Sequence, residues 1–211
     1  MITDRVNAWA AAQLGRPQGW AGPLFGVMLN RMNRKTIRAA VDALPVKSGD
    51  VAADLGFGGG LGLALLLGRV GPAGRVHGVD LSPVMVDRAR RRFSSEVGAG
   101  RLVLREGTMT KLPLEDRSID GAITVNTVYF IAELDRAFAE LARVLKPGGG
   151  AVVGIGDPKA LARLSFTAYG FRLRPVDELV AVAASAGLDL RAHQRAGDGE
   201  DAAHVLVFST R

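Results

Sequence analysis

Val51-Ala52-Ala53-Asp54-Leu55-Gly56-Phe57-Gly58-Gly59-Gly60 is the stretch whose reading decides the fold. A short apolar run ends on an acid and leads into clustered glycines, and the residues that follow open a helical pattern. Glycine lets the backbone turn sharply and approach a ligand with no Cβ in the way. A strand, a glycine turn and a helix in that order form the place where an α/β sheet admits a ligand to the carboxyl ends of its strands. A dinucleotide site would require G-x-G-x-x-G, but counted from Gly56 the last position is Leu61. The sequence instead offers Gly56, Gly58 and Gly60, with Asp54 two residues before the first.

Outward from the loop, the next apolar run ends at Val79-Asp80, twenty residues past Gly60. A carboxylate there can accept hydrogen bonds from both hydroxyls of a ribose, which implies an adenosine. Residues 51–55, 75–79, 101–106, 119–126 and 151–155 read as strands alternating with helical patterns, the signature of βαβ units and a mostly parallel sheet. Ser82-Pro83 caps a helix running to about Val97. Leu134, Phe138, Leu141 and Leu145 mark another, which Pro147-Gly148-Gly149-Gly150 ends. A further helix is expected near Pro175 to Ala186. Residues 188–195 and 202–209 are separated only by turn residues and so form an antiparallel hairpin. The expected fold class is therefore α/β: seven strands, one of them antiparallel, with helices on both faces. Residues 1–44 precede the first strand and are expected to form a helical cap, with helices near 4–13 and 24–44 around a turn-rich segment, and with both Trp9 and Trp20 in it. Residues 45–211 make up the core, the whole being one structural domain.

Composition narrows the chemistry. With 48% hydrophobic and 23% charged residues in 211, one folded core is expected. The absence of cysteine excludes disulfides, thiolate nucleophiles and cysteine metal sites, and three scattered histidines suggest no metal. His77, His193 and His204 read as structural or surface residues. No apolar run is long enough to span a bilayer and no signal-peptide core stands at Met1 to Leu14, so a cytoplasmic protein without a membrane partner is expected. The net charge is +6, and its densest run, Arg88-Ala89-Arg90-Arg91-Arg92, lies in a helix without interleaved aromatics. That run reads as a solvated face, and no nucleic-acid partner is expected. Lys146-Pro147-Gly148-Gly149 is a helix stop, since no Walker pattern is present. Met109 reads equally well as core filler or ligand contact.

Five ordered segments resemble the class I S-adenosylmethionine-dependent methyltransferases with their Rossmann-like fold, in the small-molecule, ubiquinone-biosynthesis-like branch often called type 11. They are Asp54 to Gly60, Val76 to Ser82, Glu106 to Pro113, Ser118 to Ala122, and Ala142 to Gly149. The resemblance implies S-adenosylmethionine as methyl donor and S-adenosylhomocysteine as product. It implies that Gly56, Phe57, Gly58 and Gly60 belong to the cofactor loop, with the glycines facing the methionine moiety and Asp54 near its ammonium. Asp80 would hold the ribose, Leu81 would lie against the adenine, Thr108 and Met109 would edge it, and Asn126 would face the methionine tail. The family usually has an aspartate where this chain has Thr108, and a neutral hydroxyl accepts less strongly from an amino group.

The acceptor is expected among aromatics over the strand ends: Tyr129 and Phe130 after the fourth strand, and Phe166, Tyr169 and Phe171 beyond the fifth. Methyl transfer needs alignment above all, so no catalytic residue is assigned beyond Tyr129 as a candidate. The expected function is methyl transfer to an O, N or C nucleophile of a small organic molecule, such as a quinone, lipid-like compound or secondary metabolite. Two alternatives stand beside it: a non-catalytic adenosyl-ligand-binding regulator, and a nucleic-acid methyltransferase. The latter lacks the Asn/Asp-Pro-Pro-Tyr/Phe motif, the corresponding stretch reading Asn126-Thr127-Val128-Tyr129.

Overall fold

The computed structural model describes Asp4 and residues 31–211. Seven strands form one sheet: β1 Val51–Leu55, β2 Arg75–Asp80, β3 Leu102–Glu106, β4 Ile119–Val125, β5 Leu145–Ile155, β6 Leu188–Ala196 and β7 Ala203–Thr210. Their spatial order is β3-β2-β1-β4-β5-β7-β6. β1 to β5 pair in parallel, and β7 runs antiparallel to both neighbours. The chain moves outward from β1 to β3 and then returns to place β4 on the other side of β1. The β1/β4 boundary is thus the switch point at which a crevice opens outside the strand ends.

Helices cover both faces. On one lie α1 Arg34–Ala43, α2 Leu61–Val70 and α3 Pro83–Arg92, followed by a short α4 Ser94–Gly98. Ala40, Leu63, Leu66 and Met85 pack there against Ala52, Val76, Ile123 and Val152. On the other face are α5 Leu134–Val144 and α7 Val176–Ser185, whose Phe138, Leu141 and Leu179 meet Ala53, Val153 and Phe208. The period of two in the strands sends Val152 to one core and Ala151 and Val153 to the other. Each large aliphatic side chain withdrawn from water contributes about 1.5–3 kcal/mol, so the sheet is stabilised from both sides.

Two boundaries differ from the sequence reading. The helix expected from Ser82 to Val97 breaks at Phe93, which has φ −111° and is buried, its ring packing beside Gly60. Helix continuity there gives way to packing against the glycine loop. β5 begins at Leu145 rather than at 151, because Leu145 pairs with Ile119 across an irregularity before Gly150 pairs with Gly121. The helix stop at Lys146 holds, since α5 ends at Val144. Lys146 Nζ donates to both oxygens of Asp120 at 2.7 and 2.8 Å, while Asp120 Oδ2 also accepts from Val51 N at 2.9 Å. These bonds hold the Asp120 carboxyl below its ordinary range, although partial burial opposes them, and they tie the starts of β1, β4 and β5 together. Of the expected N-terminal cap, α1 falls within the described residues. The helix near 4–13, the first part of that near 24–44, and both tryptophans lie outside them, Asp4 apart.

Candidate active site

A cavity of about 530 Å³ lies over the carboxyl ends of β1, β2 and β4. Its floor is the glycine loop. Gly56 has φ +79°, its N–H donates to Val79 O at 2.7 Å, and a Cβ placed on it would collide with the Thr127 side chain. The loop after β1 therefore lies directly against the loop after β4, a closeness that only glycine allows at that backbone angle. Gly60, at φ +76°, stands immediately before α2 and turns the chain into that helix.

Two buried carboxylates face this space. Asp80 Oδ2 accepts from Gly58 N at 2.8 Å and Oδ1 accepts from Ser82 N at 2.8 Å, so β2's last residue holds both the glycine loop and the turn into α3. Burial raises its pKa, against the pull of these two N–H groups. Asp54, at the end of β1, accepts from the backbone N–H of Leu63 and lies against Gly62, where any side chain would displace it. Burial, with the charge of Asp80 second, pushes the Asp54 carboxyl up to about 8. Two acids held together away from water favour a positively charged ligand, whose charge would stabilise their ionised forms.

Asn126 closes β4 in the left-handed region at φ +56°, a conformation uncommon outside glycine and concentrated at functional sites. Its side chain makes three hydrogen bonds: Oδ1 accepts from Gly156 N and from the Tyr129 hydroxyl, both at 3.1 Å, while Nδ2 donates to Asn33 Oδ1 at 2.9 Å. Burial lifts the Tyr129 phenol well above its ordinary range, so Tyr129 stays protonated and acts as a donor rather than as a base. Thr108 and Met109 form the opposite rim. Their loop is held by α5, where Glu140 accepts from Leu112 N at 2.7 Å and Arg143 donates to the carbonyls of Leu114 and Leu112 at 3.0 and 3.2 Å. Met109 packs in the core and also lines the cavity.

The far end of the cavity is aromatic. Phe171 sits at the centre of a ring cluster, stacked on Tyr129 at 5.7 Å and edge-on to Phe130 at 4.7 Å and Phe166 at 5.7 Å. Arg174, itself mostly buried, holds the loop beneath by donating to the carbonyls of Val128 at 3.1 Å and Ile131 at 2.8 Å.

Residues 53–153 match the protein family described as a methyltransferase domain. Over this segment, just under half of its length, the chain is similar to that family. It is 35% identical over 153 residues to a 2-phytyl-1,4-naphtoquinone methyltransferase of Trichormus variabilis, a match covering 72% of this chain and 58% of that protein. It is 34% identical over 103 residues to a demethylmenaquinone methyltransferase of Symbiobacterium thermophilum, covering 49% and 41% respectively. The chain thus spans less than two thirds of the length of these curated relatives. Among solved structures, an S-adenosylmethionine-dependent methyltransferase from Aquifex aeolicus shares the fold at a TM-score of 0.71 and 19% identity, with 90% of this chain and 98% of that one covered.

Within the matched segment and its flanks, the structure gathers Asp54, Gly56, Phe57, Gly58, Asp80, Leu81, Thr108, Met109 and Asn126 around one cavity, with Tyr129, Phe130 and Phe166 at its aromatic end. Two expected residues are not brought to it. Gly60 lies behind the wall, where its role is the turn into α2. Tyr169 is turned outward, donating to Asp4 at 2.8 Å, and Phe171 two residues later lines the cavity instead. Asn33, Thr127 and Arg174 had no signal in the sequence, since each is recruited by a contact distant along the chain. Arg92, the last residue of the basic run, is more than a solvated charge: it donates to Gly59 O at 3.0 Å and lies over the Phe93 ring. The histidines also meet more than spacing suggests. His193 Nε2 and His204 Nδ1 are 2.8 Å apart, and His204 Nε2 lies 3.1 Å from Asp157 Oδ2, whose other oxygen caps α6 Pro158–Ala162. This chain of contacts is structural, fastening α6 to the β6/β7 hairpin, and among the described residues no cluster able to hold a metal ion is present. None of the described helices is long and apolar enough to cross a membrane.

Proposed function

We propose that the cavity binds S-adenosylmethionine and that the protein transfers its methyl group to a small organic acceptor, releasing S-adenosylhomocysteine. The observation that carries this reading is the pair of buried carboxylates, Asp54 and Asp80, flanking the tight loop at Gly56 to Gly58. A ligand with a sugar diol and two cationic groups fits such a pair, whereas the pyrophosphate of a dinucleotide would meet two acids.

The residues divide the work. Asp80 takes the ribose hydroxyls on the acceptor positions its carboxylate has left beside the Gly58 and Ser82 N–H groups. Leu81, Thr108 and Met109 form the adenine pocket. The backbone at Gly56 and Gly58, with Phe57 beside it, holds the methionine portion. Asp54 and Asn126 face its polar end. When bound, the sulfonium supplies an activated methyl and a neutral leaving group. The protein's contribution is then to align the acceptor on the aromatic wall and exclude water, and positioning of this kind lowers barriers by up to roughly 7–11 kcal/mol. Similarity to quinone methyltransferases supports an acceptor of ring-bearing, small-molecule type.

Calorimetry with S-adenosylhomocysteine, S-adenosylmethionine and NAD tests the cofactor, and incubation with methyl-labelled S-adenosylmethionine and a metabolite extract tests the transfer. Binding of both adenosyl ligands and label on a small molecule are expected. NAD binding without response to the other two would overturn the reading.

A further inference from the structure

Among the described residues, the cavity's lining carries ionisable groups of one sign. Its ionisable side chains among the described residues are Asp54, Asp80, Glu133 and the persistently protonated Tyr129, although the chain as a whole has 27 basic residues against 21 acidic ones. Four arginines close by have partners of their own, and one of them, Arg136, offsets the charge of Glu133 at the rim. Arg92 and Arg174 hold backbone carbonyls behind the wall, Arg136 pairs with Glu133 at 3.1 Å, and Arg163 pairs with Asp201 at 2.6 Å. Of these, Arg92 and Arg174 brace the loops that form the cavity, while Arg136 and Arg163 lie in exposed surface pairs. The acceptor end itself is built from Tyr129, Phe130, Phe166 and Phe171, with Ile131 and Leu161 beside them.

An anionic group entering this end would lose its hydration to an apolar wall and meet carboxylates across a short, poorly screened distance. The donor does not reverse that balance. Its ammonium, sulfonium and carboxylate sum to one positive charge, and Asp54 and Asp80 together carry more negative charge when ionised. An uncharged ring loses little water and gains stacking area on the aromatic cluster, and a cation gains attraction to both the ring faces and the acids.

We propose that the acceptor is an uncharged or cationic ring-bearing molecule and that phosphorylated or carboxylated acceptors are rejected. The inference rests on the methyl-transfer reading above and sets the charge class of its substrate. In the transfer, a lone pair on the acceptor's oxygen or nitrogen, or a π pair at a ring carbon, forms the new bond to the methyl carbon while the sulfur–carbon pair stays on sulfur. A neutral O–H, N–H or C–H acceptor releases its proton to water, because Tyr129 is held protonated and does not serve as a base.

The test is to incubate the full chain with methyl-labelled S-adenosylmethionine and a deproteinised extract of its source cells, then to separate labelled products by charge at pH 7. Label is expected in material that passes an anion exchanger or binds a cation exchanger. Label retained chiefly on the anion exchanger overturns the charge assignment and leaves methyl transfer standing. No label on any small molecule, with S-adenosylhomocysteine binding intact, overturns methyl transfer and the charge assignment with it. A second arm measures inhibition of the observed transfer by three phenols of one shape: tyramine, tyrosol and 4-hydroxyphenylacetate. The anion is expected to inhibit at least about fivefold more weakly than the other two, and equal or stronger inhibition by it counts against the proposal.

Discussion

The two ends of the cavity are built by different means. At the glycine-loop end, the wall is backbone held by short bonds between successive elements: Gly56 N to Val79 O, Gly58 N to Asp80, and Ser82 N to Asp80. At the aromatic end, the wall is side chains held from behind by distant groups, with Phe171 on Tyr129 and Arg174 beneath the 128–132 loop. A backbone site tolerates little change, because every atom that binds also sets the fold. A wall of side chains can be altered ring by ring while the sheet stays as it is. On the proposed assignment, one end is therefore fixed for the donor, and the other is free to define an acceptor.

Substitution at Gly56 breaks the contrast most severely. Gly56→Ala combines a positive φ with a collision against Thr127, and the loop after β1 must separate from the loop after β4. Loss of S-adenosylhomocysteine affinity by at least about 100-fold is expected by calorimetry, equivalent to some 2.8 kcal/mol. Asp80→Ala follows. A charged acceptor on neutral donors is worth roughly 1.5–3 kcal/mol, so affinity should fall at least about tenfold. Unchanged affinity would show that the ribose is held elsewhere.

Proton linkage sharpens the same end. The Asp54 carboxyl of the free protein titrates at about 8, and a bound ammonium would hold it well below that. Binding then releases a proton, so affinity rises with pH until about 8 is reached. Between pH 6 and pH 7 the ligand should bind nearly tenfold more tightly (about one pKa unit of linkage), with close to one proton released in buffers of differing ionisation enthalpy. Asp54→Asn should flatten this dependence. A wild-type affinity independent of pH would place the ammonium away from Asp54.

At the opposite end, Arg174→Met removes the donor to three loop carbonyls while keeping the stem. Transfer efficiency should drop about fivefold to tenfold through the acceptor's KM, while S-adenosylhomocysteine affinity changes by less than about twofold. An equal loss at both ends would mean that the two walls are one unit.

The same contrast governs what the sequence discloses. β1, the glycine loop, Asp80 and the β6/β7 hairpin are legible because their signals are local: a run of apolar residues, a turn residue, a fixed spacing. The site residues drawn from afar are not. Asn33 reaches Asn126 across 93 positions, Arg174 reaches Val128 across 46, and His204 reaches Asp157 across 47. Tyr169 and Phe171 show the limit most closely, since in the irregular segment after α6 no periodicity tells which of two aromatics turns inward. Phe93 shows it in a helix, where burial against Gly60 overrides continuity.

Thr108 gives the smallest expected effect and the finest test of the donor end. Its hydroxyl lies 3.2 Å from that of Thr110 and lines the cavity, at the position where the family resemblance leads to the expectation of an aspartate. A carboxylate accepts from an adenine amino group about twice as strongly as a hydroxyl. Against this gain, Thr108→Asp adds a third acid to a cavity already holding Asp54 and Asp80. The bonding gain is local and directional, whereas the repulsion is spread over a rim open to water, so the gain should prevail by a small margin. Tightening of S-adenosylhomocysteine binding by about threefold is expected, near 0.6 kcal/mol, and it should grow with salt as the repulsion is screened. Weaker binding that salt restores would instead show that the field of the two aspartates dominates this rim, and that the hydroxyl at Thr108 is the neutral partner such a field requires.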